Sequence, residues 1–438
     1  MAILNEIRPT FNPNLKISAS NERITSDAGV LMYKEVAHQL DYFIDLHETV
    51  HIPDHRSEPD HTHESVMEQL IFQRFGGYHT ESAAKQLVHD PTMTQVLNKE
   101  ALASQSTLTR FYQAIAPENI KEMDASLLHS SLKTIKSLNQ EQITIDLDST
   151  YFQTHGKQEN RGYSGHYKTT GYHPLLAFDG ETGLCLGAIN RPGQEYTSNG
   201  ASAMCANIID QARKKLPRVN MLVRGDSGFA MPDLYDFCEA RSVDYVIRLK
   251  ANSVLHDQAE ALRPDYDMNK NHEVHYKESV YKAGSWSRAR RVMIRYERVP
   301  GELLFQHTFL VTNLEVNPED VFSIYKQRGE MELFIKEAKN DFGCKFMHSH
   351  YFIPNCARMM ISLIAYNLHI TAKVLFAPDS VKRYRMSSFR SLFIKVGAKI
   401  TKSGRYLHLK LSASFVHQKA FFEMMRNIQS WGRRHRMV

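Results

Sequence analysis

Three carboxylates stand where the sequence pattern brings chemistry within reach. Ile143, Ile145 and Leu147 alternate with Thr144, Asp146 and Asp148. That period of two marks a β-strand and puts Asp146 and Asp148 on one face. Asp226 follows a second short strand, Val219 to Val223, which ends at Arg224-Gly225-Asp226. The C-terminal end of a strand is where open α/β sheets bind ligands. Glu332 lies in a long helical segment opened by Asn317-Pro318-Glu319-Asp320. The opening supplies a capping Asn, Pro at the first helical position and acids in the first turn. Oxygen-only acidic ligands suit hard cations such as Mg²⁺ or Mn²⁺. Two such ions about 4 Å apart clamp the attacking and leaving oxygens of a phosphodiester. Taken singly, each of these acids is one among 48.

The segment around Glu332 is more specific. At about 100° per residue, Tyr325, Arg328, Glu332 and Lys339 fall within a stripe about 60° wide, with Lys336 on the same side. A carboxylate flanked by cations suits a site that holds a metal and grips phosphate oxygens. The same residues also describe a solvated face with ordinary Glu–Lys pairs. Gly329 is out of place in a merely structural helix. The helix is expected to run unbroken to about Asp341, where Gly343 can end it.

These side chains need a scaffold, and the rest of the chain supplies the pattern for one. Pro174 to Phe178 and Leu184 to Ile189 read as strands joined by the turn-rich Asp179-Gly180-Glu181-Thr182-Gly183. Ser198 to Leu216 and Met231 to Arg241 read as helices, and Val243 to Leu249 and Leu304 to Asn313 as strands. An antiparallel meander followed by parallel crossovers gives a mixed sheet with helices on it. Residues 251–303 break this rhythm with charged, aromatic-bearing short strands and read as an insertion. The first 138 residues read as mainly helical, with Gly76-Gly77 stopping the helix that begins near Ser65. Ser106-Thr107 and Arg110 fit a helix-turn-helix-like unit or any short-helix domain.

Composition narrows the class. At about 150 residues per domain, 438 residues suggest roughly three domains. With 42 % apolar and 23 % charged residues, a disordered chain, a collagen or a small disulfide scaffold is excluded. The N-terminus meets Glu6 and Arg8 before any long apolar run, so no secretory signal is expected. The apolar run Met359 to Ala377 contains Asn367, His369 and Lys373 and reads as a buried helix, so no membrane partner is expected. Five scattered cysteines without a C-x-x-C pair point to reduced thiols and a cytoplasmic location.

Net charge is +6, but Val381 to Val438 alone carries +13, leaving −7 for the rest. Aromatic and Leu residues interleave with those charges, so a folded basic surface facing a polyanion is expected. Two further clusters have competing readings. His47, His51, His55, His61 and His63 fit a metal face or, since Ile52-Pro53 interrupts them, a polar loop. Tyr151, Phe152, Tyr163 and Tyr167 among Lys157, Arg161 and Lys168 fit a platform for unpaired bases or a plain exposed loop.

The spacing Tyr-(2)-Arg-(3)-Glu-(6)-Lys, complete here as Tyr325, Arg328, Glu332 and Lys339, resembles the signature of a large class of bacterial insertion-sequence DDE transposases. Ile145-Asp-Leu-Asp148-Ser-Thr150 resembles that family's first-aspartate strand and favours Asp148 over Asp146. Arg224-Gly-Asp226-Ser-Gly-Phe229 resembles its second-aspartate motif, and His155-Gly156 and Arg191-Pro-Gly193 resemble flanking family sequence.

The resemblance implies an RNase H-like core: a mixed five-stranded sheet with flanking helices, a mostly β insertion and a helical N-terminal domain. It implies that Asp148, Asp226 and Glu332 bind two Mg²⁺ (or Mn²⁺) ions and are catalytic. Tyr325, Arg328, Lys336 and Lys339 would then contact DNA. The implied reaction is cleavage at the element's terminal inverted repeats, followed by strand transfer into target DNA by a homodimer on paired ends in the bacterial nucleoid. Expected boundaries are a DNA-binding helical domain at 1–138, core at 139–250 and 304–350, insertion at 251–303 and a basic region at 351–438. The rival readings are an RNase H-like nuclease without strand transfer, and a non-catalytic DNA-binding protein that keeps the fold.

Overall fold

The computed structural model describes residues 6–165, 167–265, 270 and 272–435. Arg436, one of the C-terminal cations, and His166 of the aromatic loop lie outside the described residues. An eight-stranded mixed sheet organises the molecule. In chain order its strands are β1 (Gln142–Ser149), β2 (Leu175–Asp179), β3 (Cys185–Ile189), β4 (Asn220–Gly225), β5 (Asp244–Leu249), β6 (Glu273–Tyr281), β7 (Arg290–Arg298) and β8 (Gln306–Thr312). In space they run β6-β7-β8-β5-β4-β1-β2-β3. β4 pairs parallel with both β1 and β5, and the remaining neighbours are antiparallel.

The sheet is thus wider than five strands. The segment expected as an insertion supplies β6 and β7, and β8 joins them to the exposed edge of β5. The physical reason is edge satisfaction: β5 would otherwise present unpaired backbone groups. Local patterning reveals a strand but not which edge it joins.

Eight helices matter here: α1 (His63–Phe75), α2 (Pro117–Ser137), α3 (Ala201–Lys215), α4 (Pro232–Ala240), α5 (Pro318–Lys326), α6 (Gly329–Asp341), α7 (Phe352–Phe376) and α8 (Gln418–His435). α3 and α4 are the crossovers from β3 to β4 and from β4 to β5. Among the described residues, seven α-helices lie between Val30 and Ser137. Their buried side chains belong to the same apolar cluster as those of the sheet and of α7 and α8.

α7 is long and apolar enough to cross a bilayer, yet it runs through the centre of the molecule with nearly every side chain buried. Several of its polar groups are used internally. Asn367 accepts from the Cys185 amide at 2.8 Å and donates to Ser131 Oγ at 2.8 Å and to the Cys185 carbonyl at 2.9 Å. The Tyr366 hydroxyl donates to the Gly183 carbonyl at 2.8 Å. His369 Nδ1 meets the Tyr33 hydroxyl at 2.7 Å. A buried helix satisfied in this way locks the N-terminal helices to the sheet.

The expected unbroken helix is two helices. Arg328 N bonds to the Tyr325 carbonyl, Glu330 N to Gln327 and Met331 N to Arg328, at 3.0, 3.1 and 3.0 Å. These i to i−3 bonds tighten the chain at Gln327–Arg328, between α5 and α6. Gly329, a poor helix former, begins α6 at this joint. Tyr325 precedes this joint and is not among the cavity-lining residues, which include Arg328, Glu332 and Lys339.

The basic C-terminal segment is folded. Ala398–Ser403 and Tyr406–Leu411 form a hairpin, with Ile24–Thr25 paired to its first strand. Lys402, Arg405 and Lys410 are exposed on it. α8 buries Phe421, Met424 and Ile428, and its Trp431 ring packs edge-on against Phe376 of α7.

Candidate active site

Strand register brings the first two acids together. In the parallel β1–β4 pair, Asp146 lies opposite Arg224 and Leu147 opposite Gly225. Continuing one residue places Asp148 beside Asp226 at the shared C-terminal end. Both faces of β1 are covered, so Ile143, Ile145 and Leu147 are buried on one side and Thr144 and Asp146 on the other. The face of Asp146 lies under α5, whose Val321 and Phe322 pack on Leu222 and Val246 of β4 and β5. Two residues further on, Asp148 passes the end of that cover and opens into a cavity.

The cavity holds about 750 Å³ and is lined by Asp148, Asp226, Arg328, Glu332, Lys336 and Lys339, among others. Asp226 Oδ1 accepts from the Gly228 amide at 2.8 Å, capping the short turn Ser227–Phe229 and fixing the carboxylate. Asp148 Oδ1 accepts from the Ser149 amide at 2.9 Å. Burial drives the Asp148 carboxyl up to about 6, against the Arg328 guanidinium, while the charges of Asp226 and Glu332 add to the rise. Mutual repulsion among these acids is what a bound cation would relieve.

Arg328 Nη2 donates to the Leu147 carbonyl at 2.9 Å and stands 3.5 Å from Asp148 Oδ1. Lys339 Nζ donates to Thr150 Oγ1 at 2.9 Å and to the Tyr151 carbonyl at 3.2 Å. Its pKa is lowered, chiefly by burial. Met331, Ile335 and Ala338 bury the opposite face of α6, so Glu332 and Lys336 are left on its exposed side. Tyr325 stands outside the lining: it packs half-buried against the cluster under α5, and its phenol is raised chiefly by that burial.

In donor type and charge, these three carboxylates fit a hard divalent cation. As they stand, no three His, Cys, Asp or Glu side chains among the described residues are gathered closely enough to hold one. The cation facing Asp148 is Arg328. That finding also bears on the His47–His63 cluster, where His47 pairs with Glu68 at 3.1 Å and a metal face is not formed. Asp146 is engaged with Arg224 and does not line the cavity.

Gln153, Asn340, Lys345 and Phe346 line the cavity and escaped the sequence reading. Thr150, also in the lining, had a signal, since it follows Asp148 on the same strand exit. Lys345 had none, because it enters the cavity only through the turn at Gly343. The aromatic loop is ordered into a small sheet in which Tyr151 and Tyr167 stack with centroids 4.9 Å apart, and Tyr167 lines the cavity.

Comparison with known proteins completes the description. The chain spans about two thirds of one structural neighbour, the Mos1 transposase paired-end complex with left transposon end. That likeness has 11 % identity, 48 % coverage of this chain, 68 % of the other and a TM-score of 0.18. The cryo-EM structure of a piggyBac transposase synaptic complex with hairpin DNA is similar over 96 % of this chain and 85 % of the other, at 11 % identity and a TM-score of 0.47. No curated protein matches. The model of the family described as transposase DDE domain group 1 matches residues 7–433. The chain therefore belongs to the group 1 DDE transposase family.

Proposed function

We propose that this transposase cuts the ends of its own element and joins the freed 3′-OH to target DNA, with Asp148, Asp226 and Glu332 as the catalytic acids. The observation that carries the reading is the convergence of all three on one cation-flanked cavity at the C-terminal ends of adjacent parallel strands. The order β3-β2-β1-β4-β5 within the wider sheet supports an RNase H-like core.

Asp148, Asp226 and Glu332 would hold Mg²⁺ or Mn²⁺, two ions in this reading. When bound, the ions supply Lewis-acid activation of the attacking oxygen and neutralise the leaving one. Asp226 comes to this task oriented by the Gly228 amide, and Asp148 by the Ser149 amide. Arg328 is held by the Leu147 carbonyl beside Asp148, where its remaining N–H groups suit a phosphate fork. Lys339 and Lys336 add positive charge along α6 to the wall that carries Glu332. Tyr325, outside the lining, would contact DNA beside the cavity. Positioning and charge neutralisation of this kind dominate phosphoryl transfer.

The proposed partners are the terminal inverted repeats and target DNA, with a homodimer on paired ends. The basic hairpin and α8 supply further phosphate contacts. The cytoplasm, at the nucleoid, is the proposed location. A joining assay tests the reading. A labelled, pre-cut inverted-repeat end is incubated with supercoiled plasmid and Mg²⁺. Covalent donor–target product supports transposition; end hydrolysis with no joined product would reduce the protein to a nuclease.

A further inference from the structure

One guanidinium, carried by β4, ties β1 to the end of α5 and to the joint from which α6 starts. Arg224 Nε donates to Asp146 Oδ1 and Nη2 to Asp146 Oδ2, both at 2.7 Å. Both side chains are 1 % exposed. Arg224 Nη1 donates to the Ile324 carbonyl at 2.6 Å and lies 3.5 Å from Gln327 Oε1. Ile324 is in the last turn of α5, and Gln327 is in the joint from which α6 starts. Asp148 is two residues beyond Asp146 on β1, and Asp226 two residues beyond Arg224 at the exit of β4. Glu332 hangs from the joint.

The site is built around this contact. At Gly180 a Cβ would stand 2.4 Å from Arg224 Nη2 and 2.8 Å from Asp146 Oδ2, so the hairpin between β2 and β3 yields that space to the pair. As a stability device, a buried ion pair is a poor choice, because desolvation offsets its Coulomb gain. As a geometric device it is a good one: a planar fork fixes the directions of both carboxylate oxygens and of a third acceptor at once. Asp146 is 1 % exposed, bonded through both oxygens and absent from the cavity lining, which makes it an anchor and not a metal ligand.

We propose that Arg224, anchored by Asp146, is a positioning residue that sets where Glu332 and Arg328 stand relative to Asp148 and Asp226. The proposal rests on the reading of those three acids as the catalytic set.

The test uses the full-length chain and three variants: Arg224→Lys, Asp146→Asn and Gly180→Ala. Lysine keeps the charge but has no planar fork, and the alanine presses on the pair without removing it. Three quantities are measured for each: amide exchange along the chain, the affinity for a labelled inverted-repeat duplex, and Mn²⁺-dependent cleavage of that duplex at a temperature where the protein is folded. Positioning predicts exchange about tenfold faster or more in 318–341, with peptides from β2, β3 and α7 unchanged. Cleavage should fall about 10- to 100-fold, the cost of a displacement of about 1 Å, at unchanged duplex affinity and with a higher half-saturating Mn²⁺ concentration.

Wild-type exchange in 318–341 with wild-type cleavage in Arg224→Lys and Gly180→Ala would overturn the proposal. So would uniformly faster exchange with cleavage lost only in proportion to the unfolded fraction, since the pair would then serve stability alone. Asp226→Asn run alongside separates the two readings. If that variant still cuts, the catalytic assignment fails, while the exchange pattern still judges Arg224.

Discussion

Replacing Asp148 with Asn should stabilise the metal-free protein at alkaline pH while removing its chemistry. Asp148 rises from its ordinary 3.8 to about 6 through burial and the nearby Asp226 and Glu332 charges, against Arg328. The folded state therefore holds this proton more tightly than the unfolded chain does. The resulting stability is complete below about 3.8 and is lost as pH rises through about 6. At pH 8 the folded protein bears the full cost of the charge, about 3 kcal/mol for that interval. Asparagine keeps the shape and deletes the charge. Arg328, whose attraction is already contained in that raised value, subtracts nothing further. Its bond to the Leu147 carbonyl remains. The net gain expected is about 2–3 kcal/mol at pH 8. Urea midpoints in EDTA at pH 8, 6.5 and 4 check it, and the advantage should vanish by pH 4. Millimolar Mg²⁺ should then raise the wild-type midpoint more than the variant's. A variant no more stable than wild type at pH 8, or a difference independent of pH, would refute the reasoning.

Lys339→Ala removes an ammonium held by Thr150 and the Tyr151 carbonyl at the cavity wall. It should weaken binding of any DNA end similarly and reduce the slope of log affinity against log salt by about one, read from titrations across a KCl series. All five cysteines are free and buried, and burial pushes the Cys205, Cys344 and Cys356 thiols up to about 12. Native protein should therefore react with a thiol reagent no faster than it unfolds, and all five should react in urea; a fast single-thiol phase would contradict this. Asn367→Leu strands the Cys185 amide in the core, while Ser131 Oγ keeps its bonds to the Leu127 and Cys185 carbonyls, and should cost about 1–3 kcal/mol, measured as a lowered urea midpoint.

Much of the site was legible because its signals are local. Period-two alternation placed Asp148 on a strand, and the apolar run before Arg224 placed Asp226 at a strand exit. Three of the four signature residues on the Glu332 segment share the cavity wall. Tyr325 lies on α5, before a break at Gln327–Arg328 that helical arithmetic assumes away, and is not among the lining residues. The same limit hid the role of Asp146. Alternation puts it beside Asp148, but only strand register sets it opposite Arg224, and only the cover of α5 buries the pair. The width of the sheet was also out of reach. Residues 273–298 carry a strand pattern that says nothing about which edge they extend. Helix α7 shows the reverse case, where Asn367 and His369 in an apolar run were enough to identify a core helix.

The central claim is that Asp148, Asp226 and Glu332 perform metal-dependent phosphodiester cleavage. The most direct measurement is cutting of a labelled duplex carrying the inverted repeat that flanks the coding sequence. Wild type, Asp148→Asn, Asp226→Asn and Glu332→Gln are compared with Mg²⁺, with Mn²⁺ and with EDTA. The account predicts cleavage at the repeat boundary by wild type with either metal, none in EDTA, and a loss of about a thousandfold or more in each variant at unchanged duplex affinity. Cleavage that survives in any of the three variants, or tight binding without cutting by wild type, would contradict it.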